Sequence, residues 1–199
     1  MNPILQLKNK ILDNAFMFNL VRSITDSRNH LISIIKKELD AKDNEKILDV
    51  GCGLGNFSPA VRKNYMGIDF NPSFISFARK NYGSDDKKFF VMDAKKMKFR
   101  DKYFDKSMFI SMLHHFSEED NTEILREMAR ITKKYTVLID LMPTKRPIAG
   151  FLVRMDRGEY VRPLEEQKRI IQKHFRIIKL NIIEASLSSH SVMVCKPLK

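Results

Sequence analysis

Apolar residues in this chain change their spacing near residue 46. Before it, Ile4, Leu7, Ile11, Ala15 and Phe18 recur at helical intervals, with Leu12 and Phe16 beside them. A second stripe runs through Leu31, Ile34, Ile35 and Leu39, after a polar Thr25-Asp26-Ser27 that can cap it. Beyond residue 46, short apolar runs alternate with helical patterns. Residues 47–50, 66–69, 89–92, 104–112 and 136–141 read as strands. Residues 57–63 read as a helix. Asn71-Pro72 opens another, with a capping side chain followed by proline at the first helical position. A third starts at Ser117 and turns Ile124, Leu125, Met128 and Ala129 inward.

Strand-helix alternation predicts an α/β fold: a Rossmann-like, doubly wound, mostly parallel sheet of about seven strands with right-handed crossovers and helices on both faces. The tail departs from the rule. Residues 175–185 and 191–195 are strands joined by residues 186–190 alone, too short a link for a parallel pair, so the final strand is expected to run antiparallel. The whole chain, 1–199, reads as a single domain. Residues 1–44 form an N-terminal helical cap, and residues 143–163 an insertion after the fifth strand. In such sheets ligands sit beyond the carboxyl ends of the strands.

Composition narrows the class without choosing a substrate. Of 199 residues, 43% are hydrophobic and 30% charged, ordinary for a globular chain with a full core. A formal charge of +12 favours anionic partners such as nucleic acid or an anionic surface. Lysines spread along the whole chain fit a solvated basic surface equally well. Two distant cysteines, Cys52 and Cys195, argue against a disulfide framework or zinc site and suit a reducing, cytoplasmic setting. Lys8, Lys10 and Asp13 interrupt the N-terminal apolar stretch, so no signal peptide is expected. No window is apolar enough for a transmembrane segment.

The chemistry concentrates at strand ends. Ile47-Leu48-Asp49-Val50-Gly51-Cys52-Gly53-Leu54-Gly55 leaves a strand through a glycine-rich turn and is expected to enter a helix whose free N–H groups face a ligand. The dinucleotide fingerprint needs a third glycine one position later, where Asn56 stands. Asp49 would repel a pyrophosphate and suits a cationic ammonium or sulfonium. A nicotinamide-dependent oxidoreductase is therefore disfavoured.

From Asp49 to Gly55 the chain resembles the first motif of class I S-adenosylmethionine-dependent methyltransferases, and the resemblance continues in register over residues 46–142. Asp69 stands where the family holds both ribose hydroxyls, and Asp93, beside Ala94, where it faces the adenine amino group. Phe104-Asp105 through Phe116 resembles the fourth-strand segment. The family's seventh strand also inserts antiparallel beside the fifth. The resemblance implies S-adenosylmethionine as cofactor, S-adenosylhomocysteine as its product, and no metal. It implies that Asp49, Gly51, Cys52, Gly53, Gly55, Asp69, Phe70, Asp93, Ala94, Ser111 and Met112 bind that cofactor. Asp156-Arg157-Gly158-Glu159-Tyr160-Val161-Arg162 resembles a segment of small, type 11/12-like members.

Methyl transfer from an activated sulfonium needs alignment first, and a base only where the acceptor must lose a proton. His115, with His114 beside it, is the expected base because both follow the fourth strand and imidazole titrates near neutrality. Arg157, Tyr160 and Arg162 are expected to line the acceptor site, arginine being suited to grip a carboxylate or phosphate. His30, His174 and His190 are assigned structural or surface places. The expected acceptor is a small or lipid-like molecule; RNA is the runner-up. Ser111-Met112-Leu113-His114 lacks the Asn-Pro-Pro-aromatic pattern of adenine N6 enzymes, and no cysteine is placed for attack on cytosine C5. A catalytically silent subunit that docks a protein partner is the alternative from another class.

Overall fold

The computed structural model describes residues 28–143, 159–184 and 189–198. The first apolar stripe and most of the insertion, Arg157 included, lie outside them. In order, the elements are α1 (Arg28–Leu39), β1 (Ile47–Val50), a 3-10 turn (Ser58–Ala60), β2 (Tyr65–Asp69), α2 (Pro72–Tyr82), β3 (Lys87–Val91) and β4 (Phe104–Ile110). A second 3-10 turn (Leu113–His115), α3 (Glu118–Ile131), β5 (Thr132–Met142), α4 (Leu164–Ile171), β6 (Phe175–Glu184) and β7 (Ser189–Pro197) follow.

Seven strands form one sheet in the order β3-β2-β1-β4-β5-β7-β6. β1 to β5 pair in parallel, while β7 runs antiparallel to both β5 and β6. The doubly wound sheet with an antiparallel final strand is thus as expected from the alternation of runs. Leu31, Ile35 and Leu39 of α1 and Ile75 and Ala78 of α2 cover one face. Ile124, Leu125, Met128 and Ile131 of α3 and Ile170 and Ile171 of α4 cover the other. β1, central and covered on both sides, is buried at all four residues, which is why its sequence is an unbroken apolar run but for Asp49.

The helix starts have local causes. The Asn71 side chain accepts from the backbone N–H of Ser73 at 2.9 Å and of Phe74 at 3.4 Å, and Pro72 presets the first turn. Ser117 caps α3 by accepting from Asp120 N–H, and Glu118, Glu119 and Asp120 complement the helix dipole.

One expected element is absent. Residues 57–63 are not an α-helix; only Ser58–Ala60 turns, as a 3-10 segment with Pro59 inside it and Val61 already extended. Phe57, Ala60 and Val61 are buried against the α1 side of the core, so their spacing reflects packing of a short connection. β2 begins at Tyr65, too soon for several helical turns. The glycine turn therefore opens onto no α-helix N-terminus.

Candidate functional site

The glycine turn sits at the carboxyl end of β1 with its backbone in the left-handed region: φ is +70° at Gly51 and +80° at Gly55. A Cβ on Gly51 would lie 2.4 Å from Cε of Met112, so the absence of a side chain lets the chain after β4 fold across the turn. Ser111, which starts that crossing, is itself left-handed (φ +54°), a conformation costing a non-glycine residue ~1–2 kcal/mol.

Between these ends lies a cleft of about 330 Å³, within the size range of small-molecule sites. Gly51, Ile68, Asp69, Phe70, Met92, Asp93, Ala94, Lys95, Met112, Phe116 and Ile124 line it. Six of the residues singled out from sequence meet there: Gly51, Asp69, Phe70, Asp93, Ala94 and Met112. Cys52, Gly53, Gly55 and Ser111 stand around the turn without lining the cleft. Asp49 is buried and does not line the cleft; its Oδ2 accepts a 2.6 Å hydrogen bond from the Tyr65 hydroxyl. Ile68, Met92, Lys95, Phe116 and Ile124 were not singled out. Ile68 and Met92 directly precede Asp69 and Asp93, so adjacency to those acids was the available signal.

Asp69 is the most constrained acid in the cleft. Its Oδ2 accepts from Gly53 N–H at 3.0 Å and its Oδ1 from Asn71 N–H at 2.8 Å. Burial raises its pKa above the ordinary carboxylate value, and the two backbone donors pull the other way. Each carboxylate oxygen retains a further acceptor position, an arrangement that suits vicinal hydroxyls. Asp93 accepts from Lys95 N–H, and the Lys95 ammonium closes the rim by pairing with Asp120 at 2.8 Å. Phe70 is 70% exposed at the mouth. Acids at two strand ends with an apolar slot of Ile68, Met92, Ala94 and Ile124 fit a nucleoside: one acid for ribose, one for the exocyclic amine, the slot for the ring. Cys52 is no nucleophile, since burial and the nearby Asp49 and Asp69 push its thiol far up.

The far side of the cleft is built from side chains gripping backbone. His114 and His115 occupy the 3-10 turn after β4, with ring centroids 4.2 Å apart. His114 is fully buried and His115 half-buried. Nδ1 of His114 lies 2.5 Å from Oδ1 of Asp140 on β5. Arg162 is 5% exposed, and its guanidinium donates to the carbonyls of Leu113, Tyr160 and Phe116 and to Glu166. Expected from sequence to reach the acceptor, it instead holds the turn from behind. Tyr160, half-exposed, donates its N–H to the His114 carbonyl at 3.0 Å. Asn121 Nδ2 lies within 3.0 Å of the carbonyls of Leu113, Phe116 and Ser117. Gln167 donates to the carbonyls of Leu141 and Arg162 and accepts from Ser191. None of Asp140, Asn121 or Gln167 was singled out; an acid inside the apolar run of β5 was the one visible signal.

Residues 48–139 match the family described as "Methyltransferase domain". Among curated proteins, the chain is 32% identical over 94 residues to "Probable tRNA methyltransferase 9B" of Mus musculus, covering 46% of this chain and 20% of that protein. It is 30% identical over 111 residues to the fatty-acid O-methyltransferase of Mycolicibacterium smegmatis, covering 51% and 39%. The match thus spans well under half the length of either relative. Among solved structures, magnesium protoporphyrin IX methyltransferase from Synechocystis PCC 6803 with bound SAH superposes with a TM-score of 0.69 at 16% identity, covering 95% of this chain and 99% of that one. No helix among the described residues is long and apolar enough to cross a membrane. Residues 48–139 thus match a methyltransferase domain, and the strand order and glycine turn are those of a Rossmann-like methyltransferase fold.

Proposed function

We propose that the protein transfers the methyl group of S-adenosylmethionine to a small-molecule or lipid-like acceptor. The observation that carries this reading is the cleft at the strand ends, with Asp69 held by two backbone donors beside an apolar slot. Asp69 takes the ribose hydroxyls, Asp93 with Ala94 takes the adenine amino group, and Gly51 with Met112 flanks the sulfonium end. Cys52, Gly53, Gly55 and Ser111 shape the turn around it, and Asp49 braces the turn through Tyr65. S-adenosylmethionine, when bound, supplies a methyl group that needs no further activation. The protein's part is to align an acceptor and keep water out, which lowers a barrier by ~7–11 kcal/mol in favourable cases.

His115 and His114 are the candidate bases, since their turn directly continues the cleft wall formed by Met112 and Phe116. Tyr160 stands on the acceptor side; most of the insertion of residues 143–163, Arg157 included, lies outside the described residues. Arg162 acts one step removed, fixing the carbonyls of the turn that carries the histidines. Similarity to a fatty-acid O-methyltransferase supports a small or lipid-like acceptor.

RNA is the second reading, favoured by the +12 charge and by similarity to a relative whose name specifies tRNA. Incubation with methyl-labelled S-adenosylmethionine, against a panel of small hydroxyl, carboxyl and amine compounds and against total tRNA, separates the two. Label in the small-molecule fraction is expected. Label confined to RNA, with binding that weakens steeply as salt rises, would transfer the assignment to the second reading.

A further inference from the structure

β5 carries an acid where its pattern calls for an apolar residue. In Val137-Leu138-Ile139-Asp140-Leu141, Asp140 is 4% exposed, yet its Oδ1 meets Nδ1 of His114 at 2.5 Å. For packing alone, an apolar pair would hold these two strand ends at least as well as a buried polar one. An ionised aspartate at Nδ1 does something packing cannot. It fixes the imidazole as the Nδ1–H tautomer, makes Nε2 the basic nitrogen, and stabilises the imidazolium once a proton arrives.

Building on the methyl-transfer reading above, we propose that Asp140 is the positioning residue of a His114 base, and that the acceptor is a neutral hydroxyl. In the step served by this pair, the acceptor oxygen bonds the methyl carbon while the carbon–sulfur bond breaks, leaving its electron pair on sulfur. The hydroxyl proton passes to Nε2 of His114. The positive charge lost at sulfur reappears on the imidazolium, against Asp140. A carboxylate acceptor has no such proton to give and would bring a second anion toward Asp140. His114 is wholly covered, which keeps water from competing for the base, and its turn continues the cleft wall at Met112 and Phe116, the side from which the hydroxyl would come.

Among the described residues, few other charges bear on the pair. The ring of His115, in the same turn, lies 4.2 Å from that of His114 and is tilted 39° to it. Arg162, with Glu166 of α4, lies behind the turn on its carbonyls. α3 offers Asn121, which is neutral. On β7, Ser191 pairs with Asp140, and His190, one residue away, points to the opposite sheet face.

Histidine-labelled protein, with His114→Asn to identify the resonance, reads the tautomer by nitrogen NMR. At about pH 8 the wild type is expected to carry its proton on Nδ1 of His114, and Asp140→Asn to move the His114 titration to lower pH while His30 and His174 hold. A proton on Nε2, or a titration indifferent to Asp140→Asn, overturns the proposal. Should Asp140→Asn fail to fold, a proton on Nε2 in the wild type still overturns the proposal, and the ether-against-ester label of the wild type tests the rest. The second measurement pairs alcohols and phenols with carboxylic acids of matched skeleton. Alkali-stable ether label is expected, with kcat lowered about 100-fold in Asp140→Asn. KM for S-adenosylmethionine is expected to stay within about threefold of wild type, and the acid limb of the pH profile to move down. Alkali-labile ester label, or an unchanged kcat, contradicts the proposal. Failure of the wild type to bind S-adenosylhomocysteine in calorimetry would instead mark failure of the underlying methyl-transfer reading.

Discussion

The two sides of the site are made of different materials. At the ends of β1, β2 and β3, the cleft is shaped by backbone: left-handed glycines, an aspartate accepting two main-chain N–H groups, and apolar residues next to each acid in sequence. At the ends of β4, β5 and β7, the order is reversed. Buried Arg162 and Asn121 donate to the carbonyls of a turn that has little regular structure of its own, and Gln167 donates to the carbonyls of Leu141 and Arg162 beside it. A nucleoside is one fixed shape, which short main-chain motifs can hold. An acceptor side that must differ between relatives is more readily varied by side chains set on a fixed frame.

The contrast implies that the acceptor side fails through lost side-chain donors and the cofactor side through altered backbone. The largest effect is expected from Arg162→Ala, which removes charged hydrogen bonds from the Leu113 and Phe116 carbonyls inside the protein. Each such bond contributes ~1.5–3 kcal/mol, and a loss of about 3 kcal/mol in denaturant unfolding is expected after partial compensation by Asn121. Because Met112 and Phe116 flank the same turn and line the cleft, affinity for S-adenosylhomocysteine should weaken as well. Unchanged stability would mean that Asn121 and Tyr160 hold the turn unaided.

A smaller effect is expected on the cofactor side from Gly51→Ala. The left-handed backbone alone costs alanine ~1–2 kcal/mol, and the new Cβ displaces Met112 toward the cleft. Thermal unfolding should fall modestly while S-adenosylhomocysteine affinity drops about tenfold, near 1.4 kcal/mol. Equal losses of stability and affinity by way of the histidine turn would erase the distinction between the two sides.

The smallest effect is a pH dependence. Burial raises the Asp69 pKa above the ordinary 3.8, so in the free protein it takes up a proton at a higher pH than an exposed aspartate does. In the proposed complex the ionised form accepts from the ribose hydroxyls, and binding would therefore favour it. Affinity is full above the raised pKa and is lost as pH falls through it. Titrating S-adenosylhomocysteine affinity downward from neutrality should show the decline beginning above pH 3.8, and Asp69→Asn should abolish that dependence.

This division also explains how far the amino-acid sequence could be read. Every strand followed from a run of four to eleven residues, most plainly β1, β4 and β5, because a buried parallel strand is an apolar run. Asp69 and Asp93 stand at strand ends, where such sheets place ligand groups. The α-helix expected over residues 57–63 failed because three apolar residues at helical spacing were serving a short, core-packed connection. Asp49 was expected at the ligand; its hydrogen bond from Tyr65, on a neighbouring strand, could not be foreseen because sequence alone does not fix the strand register. Arg162 and Leu113 are 49 residues apart, and His114 and Asp140 are 26 apart. Contacts over such separations are made by the sheet and leave no periodic trace in the chain.

The most direct measurement is calorimetry of the folded protein with S-adenosylhomocysteine, comparing wild type with Asp69→Ala. Wild-type binding with Kd near a micromolar, about −8 kcal/mol, and a loss of roughly 100-fold in the variant are expected. No binding of S-adenosylhomocysteine or S-adenosylmethionine to folded wild type, or equal affinity in the two proteins, would contradict the assignment of this cleft to the nucleoside.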